Sequence, residues 1–438
     1  MSALLSKDLA YIWHPCAQMK DFETHPPLLI QSASGAYLRQ TDGSMIIDAI
    51  SSWWCKNLGH GHPAIKKAIA EQLEQFEHVM FGNTTYEIII QLSEQLTQLL
   101  PSLNKVLYAS DGSCAVEMAL KMSLHSRAIR GEPERNQFMA LENSYHGETG
   151  LAMAVSDLGI YRKPYQAVLP SMHFLKGIPY VSGKQDPLWD DCSSHWPMIA
   201  EQLNCIADRL SAIIIEPIVQ GAGGMLMYSQ DFLRRLRIWT REHGIHLIAD
   251  EIMTGFYRTG PQLACHHAAI EPDFLCLAKG LTGGFLPLSA TLTTHEIYDL
   301  FYSDYEKGHT FYHSHTHSGN ALAAAAALAC LGSMKTELIA EKTNLLEPLL
   351  QDLMYQVAEE TGCLTNIRQM GGIVAADLIN TKQINRLGYK LGQIAMKNGA
   401  LIRPIGNTFY WLPPLNIEPE TLVQLRDITI KSIRQLML

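Results

Sequence analysis

Residues 245–285 read IHLIADEIMTGFYRTGPQLACHHAAIEPDFLCLAKGLTGGF. Two short apolar runs stand out, IHLIADE (245–251) and DFLCLAK (273–279), and each closes on charge: Asp250 and Glu251 in the first, Lys279 in the second. Runs this short and this apolar suit strands buried on both faces, as in a parallel sheet. The pattern also occurs upstream, as KVLYAS (105–110), NQFMALE (136–142) and AIIIEPI (212–218). Between several of the runs lie segments with helical apolar spacing, such as AVEMALKMSLHSRAI (115–129) and SQDFLRRLRIWTREHG (229–244). Strands alternating with helices predict an α/β fold with a mostly parallel sheet covered on both faces. In such sheets ligands collect beyond the carboxyl ends of the strands. The residues that close each run are therefore the candidates for chemistry.

The 438-residue chain has a net charge of −9 and no basic run, which excludes the usual nucleic-acid-binding surface. No stretch approaches the roughly 20 apolar residues of a membrane-crossing helix. The N-terminus, MSALLSKDLAYIWHP, lacks a basic flank and a long apolar core, so no secretory signal is expected. The nine cysteines are dispersed, with no pair at C-x-x-C spacing, which suits free thiols and a cytoplasmic setting. In the last third, SGNALAAAAALACLGSMK (318–335) reads as a long helix. GGIVAADLI (371–379) and ALIRPIGNTFYWLPPL (400–415) read as parts of a smaller α+β lobe. The expected division is 1–57 as an N-terminal segment of the small domain, 58–331 as the large ligand-binding domain and 332–438 as the C-terminal small domain.

KVLYAS runs into DGSCAVE, placing Gly112 and Ser113 where a turn opens a helix. Free N–H groups and a positive dipole end suit a phosphate there, although an ordinary N-cap gives the same pattern. NQFMALE leads into NSYHGET and sets Tyr145 and His146 at the same edge. Tyr145 reads equally well as the cover of a planar ligand or as a rim aromatic. Asp250, preceded by Leu247, Ile248 and Ala249, needs a cationic partner in so sheltered a place. Lys279 taken alone reads as a solvated strand end; taken with Asp250, it reads as half of a structural salt bridge. The ordered set is more specific than its parts. A phosphate seat, an aromatic cover, a sheltered acid and a lysine at neighbouring strand ends are what pyridoxal phosphate needs. The acid keeps the pyridine nitrogen protonated, and desolvation frees the lysine amine. On this reading the glycines after Lys279 form a turn that lets backbone approach the cofactor.

A rival reading starts from His313, His315 and His317, which alternate and in a strand would share one face, with His266 and His267 elsewhere. Gathered imidazoles are the material of a zinc or nickel hydrolase. That reading gives Asp250, Lys279, Gly112 and Ser113 no role, and no metal is expected.

IADEIMTGFYRTG (248–260) followed by CLAKGLTGGFLPLSATLTT (276–294) resembles the class III aminotransferases of pyridoxal phosphate fold type I. The likeness runs nearly end to end, through IWHP (12–15), SSWW (51–54), HVMFGN (78–83), SYHGET (144–149), IIEPIVQGAGGM (214–225) and LIRPIGNTFYWLPP (401–414). SSWW and the arginine–proline segment are similar to the members that aminate 8-amino-7-oxononanoate in biotin synthesis, and speak against an ω-aminotransferase of ornithine, 4-aminobutyrate or polyamines. The resemblance implies a mostly parallel seven-stranded sheet in a large domain, a smaller α+β domain from both termini, and a homodimer that shares its active site. It implies Lys279, Asp250 and Tyr145 as catalytic residues, with Lys279 covalently holding pyridoxal 5'-phosphate and Asp250 paired with the ring nitrogen. Gly112, Ser113, Tyr145 and His315 join them around the cofactor, and Thr316 reaches the phosphate from the second subunit. Trp53, Trp54, Tyr145, Lys279, Ser314, Arg403 and Tyr410 form the implied substrate site, Arg403 binding the keto acid's carboxylate through its planar fork. The implied reaction is a ping-pong transamination. Four departures from the pattern bear on the amino donor and the site: Cys16 in place of a tyrosine after IWHP, Glu148 in place of an aspartate, Ser110–Asp111 in reversed order, and HSHT (313–316) in place of H-G-P-T. Likeness to the members that aminate 8-amino-7-oxononanoate implies S-adenosylmethionine as the donor, whereas TFYHSHTHSGN (310–320) resembles members that use lysine.

Overall fold

The computed structural model describes residues 3–438; Met1 and Ser2, which open the expected segment 1–57 and the stretch read for a secretory signal, lie outside the described residues. All five apolar runs are strands of one seven-stranded sheet. Its order is Lys105–Ala109, Ser289–Thr293, Phe274–Leu277, His246–Asp250, Leu210–Ile215, Gln137–Leu141, His173–Leu175. The last five pair in parallel, and Ser289–Thr293 runs antiparallel to both of its neighbours. Alternation along the central strands divides the core between two faces. Ile213, Ile215, Leu247, Ala249, Leu275 and Leu277 pack into one apolar cluster. Ala212, Ile214, Ile248, Phe274 and Cys276 pack into the other. This is the double burial that the continuous apolar runs predict.

The covering helices begin and end where local chemistry dictates. Gly112–Arg130 starts at Asp111, whose carboxylate accepts the N–H of Cys114, and stops at Gly131 in the left-handed region (φ +77°). Gln230–Glu242 is capped by Ser229, which accepts from the N–H groups of Asp231 and Phe232, and it buries Phe232, Leu233 and Leu236. Glu251, next to Asp250, is fully buried, and its carboxylate accepts from Thr254 Oγ1 and from the N–H groups of Ala264 and Cys265. Those three bonds fix the chain that leaves the Asp250 strand.

Met45–Asp48 pairs in parallel with Ala400–Leu401, so a strand near the N-terminus and one near the C-terminus share a four-stranded sheet. Leu364–Met370, Ile373–Leu378 and Thr408–Trp411 form a separate antiparallel sheet. The position 331/332 lies in the helix Ala321–Thr336, which Leu338, with φ +52°, separates from the helix Ile339–Thr361. Among the described residues no single helix is long and apolar enough to cross a membrane. All nine cysteines are free thiols.

Candidate active site

The parallel register sets Asp250 opposite Cys276, so the ends of these two strands bring Asp250 and Lys279 to one cavity of about 480 Å³. Trp54, Gly112, Tyr145 and Glu216 also line it. The Lys279 backbone is in the left-handed region (φ +42°), opening a 3-10 turn over Lys279–Thr282. Its Nζ stands 5.0 Å from the centroid of the Trp54 ring and has no hydrogen-bond or ion-pair partner among the described residues. Part of the side chain faces the cavity, yet the surrounding protein desolvates the amine and lowers its pKa, against the opposing pull of Asp250 and Glu216. Burial disfavours the ammonium, so the neutral amine is populated at lower pH than in a solvated lysine. In cofactor-free protein, acylation of Lys279 followed by peptide mass spectrometry should therefore show a half-maximal pH below the ordinary lysine value of about 10.4. A midpoint at or above that value would contradict the desolvated amine.

Asp250 forms no ion pair with Lys279. His146 Nδ1–H donates to its Oδ2 at 2.8 Å, and the N–H of Ile252 donates to its Oδ1 at 3.1 Å. The His146–Asp250 pair is buried, and His146 Nε2 has no partner among the described residues. Glu216 lies beside them, accepting from Tyr145 N–H and Gly221 N–H at 3.0 Å each. Burial pushes its carboxyl up to about 7. Glu216 lies inside AIIIEPI (212–218) and His146 at the edge of NSYHGET, and the sequence alone assigns neither a role.

Two glycines shape the seat at the start of the Gly112–Arg130 helix. A Cβ on Gly112 would meet Ile252 Cδ1 at 2.9 Å, and one on Gly147 (φ +126°) would fall on the Ser113 side chain. Ser113 Oγ accepts from the N–H groups of Glu148 and Thr149, each at 3.1 Å, and lies 2.7 Å from Thr149 Oγ1. The 144–149 loop is thereby docked on the helix start. Tyr145 donates its hydroxyl to Glu148 Oε1 at 2.8 Å, and its ring lies 5.6 Å from that of Tyr161. Tyr161 has Cys16, Arg403 and Glu148 around its hydroxyl. Nothing in its surroundings GIYR marks it; only the folded loop does.

The Arg403 guanidinium stacks 4.2 Å from the Trp53 ring centroid and has no ion pair among the described residues; neither residue lines the cavity. Trp54 Nε1–H donates to Tyr410 Oη at 3.0 Å, the two rings meeting edge to face. Tyr410 is buried behind Trp54 and does not line the cavity, and burial pushes its hydroxyl up to about 12.

The glycines after Lys279 allow close approach of the protein's own chain. A Cβ on Gly280 would meet Asn57 Nδ2 at 3.0 Å, and one on Gly284 would meet Cys55 Sγ at 2.6 Å. They let the turn close onto residues 55–57, and Gly284 also lines the cavity.

Ser314, His315 and Thr316 do not reach this cavity within the chain. Ser314 and His315 line a separate surface pocket with Lys121, Phe311, Tyr312 and His313. Thr316 offers its carbonyl to His78 Nε2 at 2.7 Å. Nor is the segment a strand. His313 and His315 meet at 3.2 Å while His317 turns to His78, with ring centroids 5.0 Å apart. The shared face expected for the three histidines is not formed, and no group of three His, Cys, Asp or Glu among the described residues could hold a metal.

The residues of the main cavity fit a phosphorylated pyridine aldehyde. The glycine-shaped helix start suits the phosphate, Asp250 the ring nitrogen, and the unpartnered Lys279 amine the carbonyl carbon.

Comparison with known proteins points the same way. Residues 19–433 match the model of the family described as aminotransferase class-III. The chain is 37% identical over 422 residues to the adenosylmethionine-8-amino-7-oxononanoate aminotransferase of Helicobacter pylori, covering 95% of this chain and 94% of the relative. Against the Synechococcus elongatus protein of that name it is 39% identical over 427 residues, covering 95% and 96%. The crystal structure of the Methanocaldococcus jannaschii protein of that name aligns with a TM-score of 0.90 at 30% identity, covering 99% of this chain and 98% of that one. An amine transaminase from an uncultivated Pseudomonas species in its PLP-bound form aligns with a TM-score of 0.88 at 32% identity, covering 97% and 98%.

Proposed function

The chain belongs to the class III aminotransferase family, and we propose that it converts 8-amino-7-oxononanoate to 7,8-diaminononanoate in biotin biosynthesis, with pyridoxal 5'-phosphate as its cofactor. One observation carries the reading. The Lys279 amine is desolvated and unpartnered beside an aspartate whose charge is already engaged by His146. A structural salt bridge would have joined the two. A covalent-catalysis lysine needs them apart.

Pyridoxal phosphate supplies a carbonyl that carries the amino group and an electron-withdrawing ring. Lys279 would hold it covalently at rest, and its amine, freed when the substrate's amino group takes its place, would carry the proton in each half of the reaction. Asp250, oriented by His146, directs negative charge at the ring nitrogen. Gly112 and Ser113 hold the phosphate, and Tyr145 covers the ring. Trp53 and Trp54 exclude water from the channel, with Tyr410 fixing Trp54, while Arg403 takes the substrate carboxylate.

Ser314, His315 and Thr316 belong, in this reading, to the site of a second copy, Thr316 reaching its phosphate. The divisions 1–57, 58–331 and 332–438 and a cytoplasmic location complete the proposal. The amino donor is S-adenosylmethionine or lysine, and Cys16, close to the Tyr161 hydroxyl, is the departure from the family pattern that bears on it.

The test is a pair of half-reactions on purified holoenzyme. S-adenosylmethionine and lysine are supplied separately while the cofactor's visible absorbance is followed; loss of the band with one alone identifies the donor. Recovery of the band with 2-oxoglutarate but not with 8-amino-7-oxononanoate would refute the substrate assignment. Arg403→Ala should raise KM for the keto acid about 30- to 100-fold with kcat nearly unchanged, because a charge-assisted bidentate contact is lost. A KM within threefold of wild type, to order of magnitude, would remove Arg403 from carboxylate binding.

A further inference from the structure

The two tryptophans are presented by backbone that ordinary residues avoid. Ser51, Ser52 and Trp54 have φ of +51°, +60° and +66°, and Ser52 has ψ of −106°. Such conformations persist only where the surroundings over-determine them. Asp48, fully buried at the end of Met45–Asp48, supplies much of that constraint. Its Oδ2 accepts from Ser52 N–H at 2.6 Å and from His60 Nε2–H at 2.7 Å, and its Oδ1 accepts from Ile50 N–H at 3.2 Å. His60 is anchored in turn through its backbone, which exchanges both hydrogen bonds with Gly35 at 2.8 and 3.0 Å. On the far side Ser51 Oγ donates to Leu412 O at 2.8 Å.

Neither Asp48 nor His60 lines the cavity. What they govern is the aim of two indoles. Trp54 stands beside Lys279, and Trp53 carries Arg403 on its face. Arg403 has no ion pair among the described residues, so the Trp53 ring, with the Tyr161 hydroxyl nearby, orients its guanidinium in the free site.

We propose that Asp48 and His60 are positioning residues that clamp the strained Ser51–Trp54 turn and so hold Arg403, through Trp53, ready for the substrate carboxylate. The proposal rests on the aminotransferase reading for its substrate, although not for the clamp itself. An asparagine at 48 cannot accept on both terminal atoms, so one of the three N–H donors loses its partner.

The experiment compares wild-type holoenzyme with Asp48→Asn, His60→Ala and His60→Gln. Gln keeps an N–H donor near the position of Nε2. Acrylamide quenching of the Trp53 fluorescence component is isolated by subtracting the matching Trp53→Phe protein, and steady-state KM and kcat are measured for 8-amino-7-oxononanoate. Asp48→Asn and His60→Ala should raise the Trp53 quenching constant about twofold and KM about tenfold, with kcat within about threefold. His60→Gln should stay within about twofold of wild type in both readouts. Should Asp48→Asn fail to fold, the two His60 variants decide alone. Unchanged quenching in the folded variants would overturn the clamp, as would His60→Gln behaving like His60→Ala. Raised quenching with unchanged KM would overturn its link to the carboxylate. A wild-type enzyme inert toward the keto acid would sink the functional reading, while the quenching comparison would still judge the clamp.

Discussion

Lys279→Ala is expected to lower kcat by about 10³- to 10⁴-fold or more, since it removes both the covalent anchor and the proton carrier. The fold should survive. The Lys279 amine makes no hydrogen bond or ion pair among the described residues, so truncation orphans no partner. Its φ of +42° is no harder for alanine than for lysine. Removing a desolvated amine also removes an unfavourable term, so the melting temperature should stay within about 4 °C of wild type. Three measurements check this: single-turnover rates, the visible absorbance that marks covalent cofactor attachment, and thermal unfolding. Near-normal turnover in the variant would take Lys279 out of the mechanism. A collapsed melting temperature would show that the turn over Lys279–Thr282 depends on the side chain.

The same residue shows what the sequence could and could not disclose. Asp250 and Lys279 were legible because each ends a continuous apolar run, and such runs have few ways to fold other than as central parallel strands. Ser289–Thr293 was not legible. Its serine and threonines look polar, yet they are buried, and Thr291 Oγ1 donates to the carbonyl of Ala115. His146 stood at the right edge without a role, because its partner Asp250 lies 104 residues away. Glu216 acts on backbone N–H groups, which no side-chain pattern announces. Asp48 is a lone acid at a strand end, and only the left-handed conformations after it reveal its load. Tyr410 followed the family pattern as a substrate contact but is buried behind Trp54.

Asp250→Asn should lower kcat by about 10²- to 10³-fold, the scale on which one preorganised electrostatic contact is worth in an active site. The substitution isolates charge from structure, because His146 can adapt. In the wild type Nδ1–H donates to the carboxylate and Nε2 has no partner among the described residues. Facing an amide N–H, His146 can move its proton to Nε2 and accept at Nδ1, and no hydrogen bond is lost by the exchange. The amide oxygen still accepts from Ile252 N–H. The variant should therefore fold, and Lys279 should still hold the cofactor covalently. What it lacks is negative charge at the ring nitrogen, so that nitrogen is no longer kept protonated. A cofactor analogue methylated at this nitrogen carries the charge without the proton, and should restore at least about tenfold of the lost rate in Asp250→Asn, which a purely structural role for Asp250 would not allow. An Asp250→Asn enzyme within about threefold of wild type, or one the analogue leaves unchanged, would show that the aspartate's charge does not act on the ring.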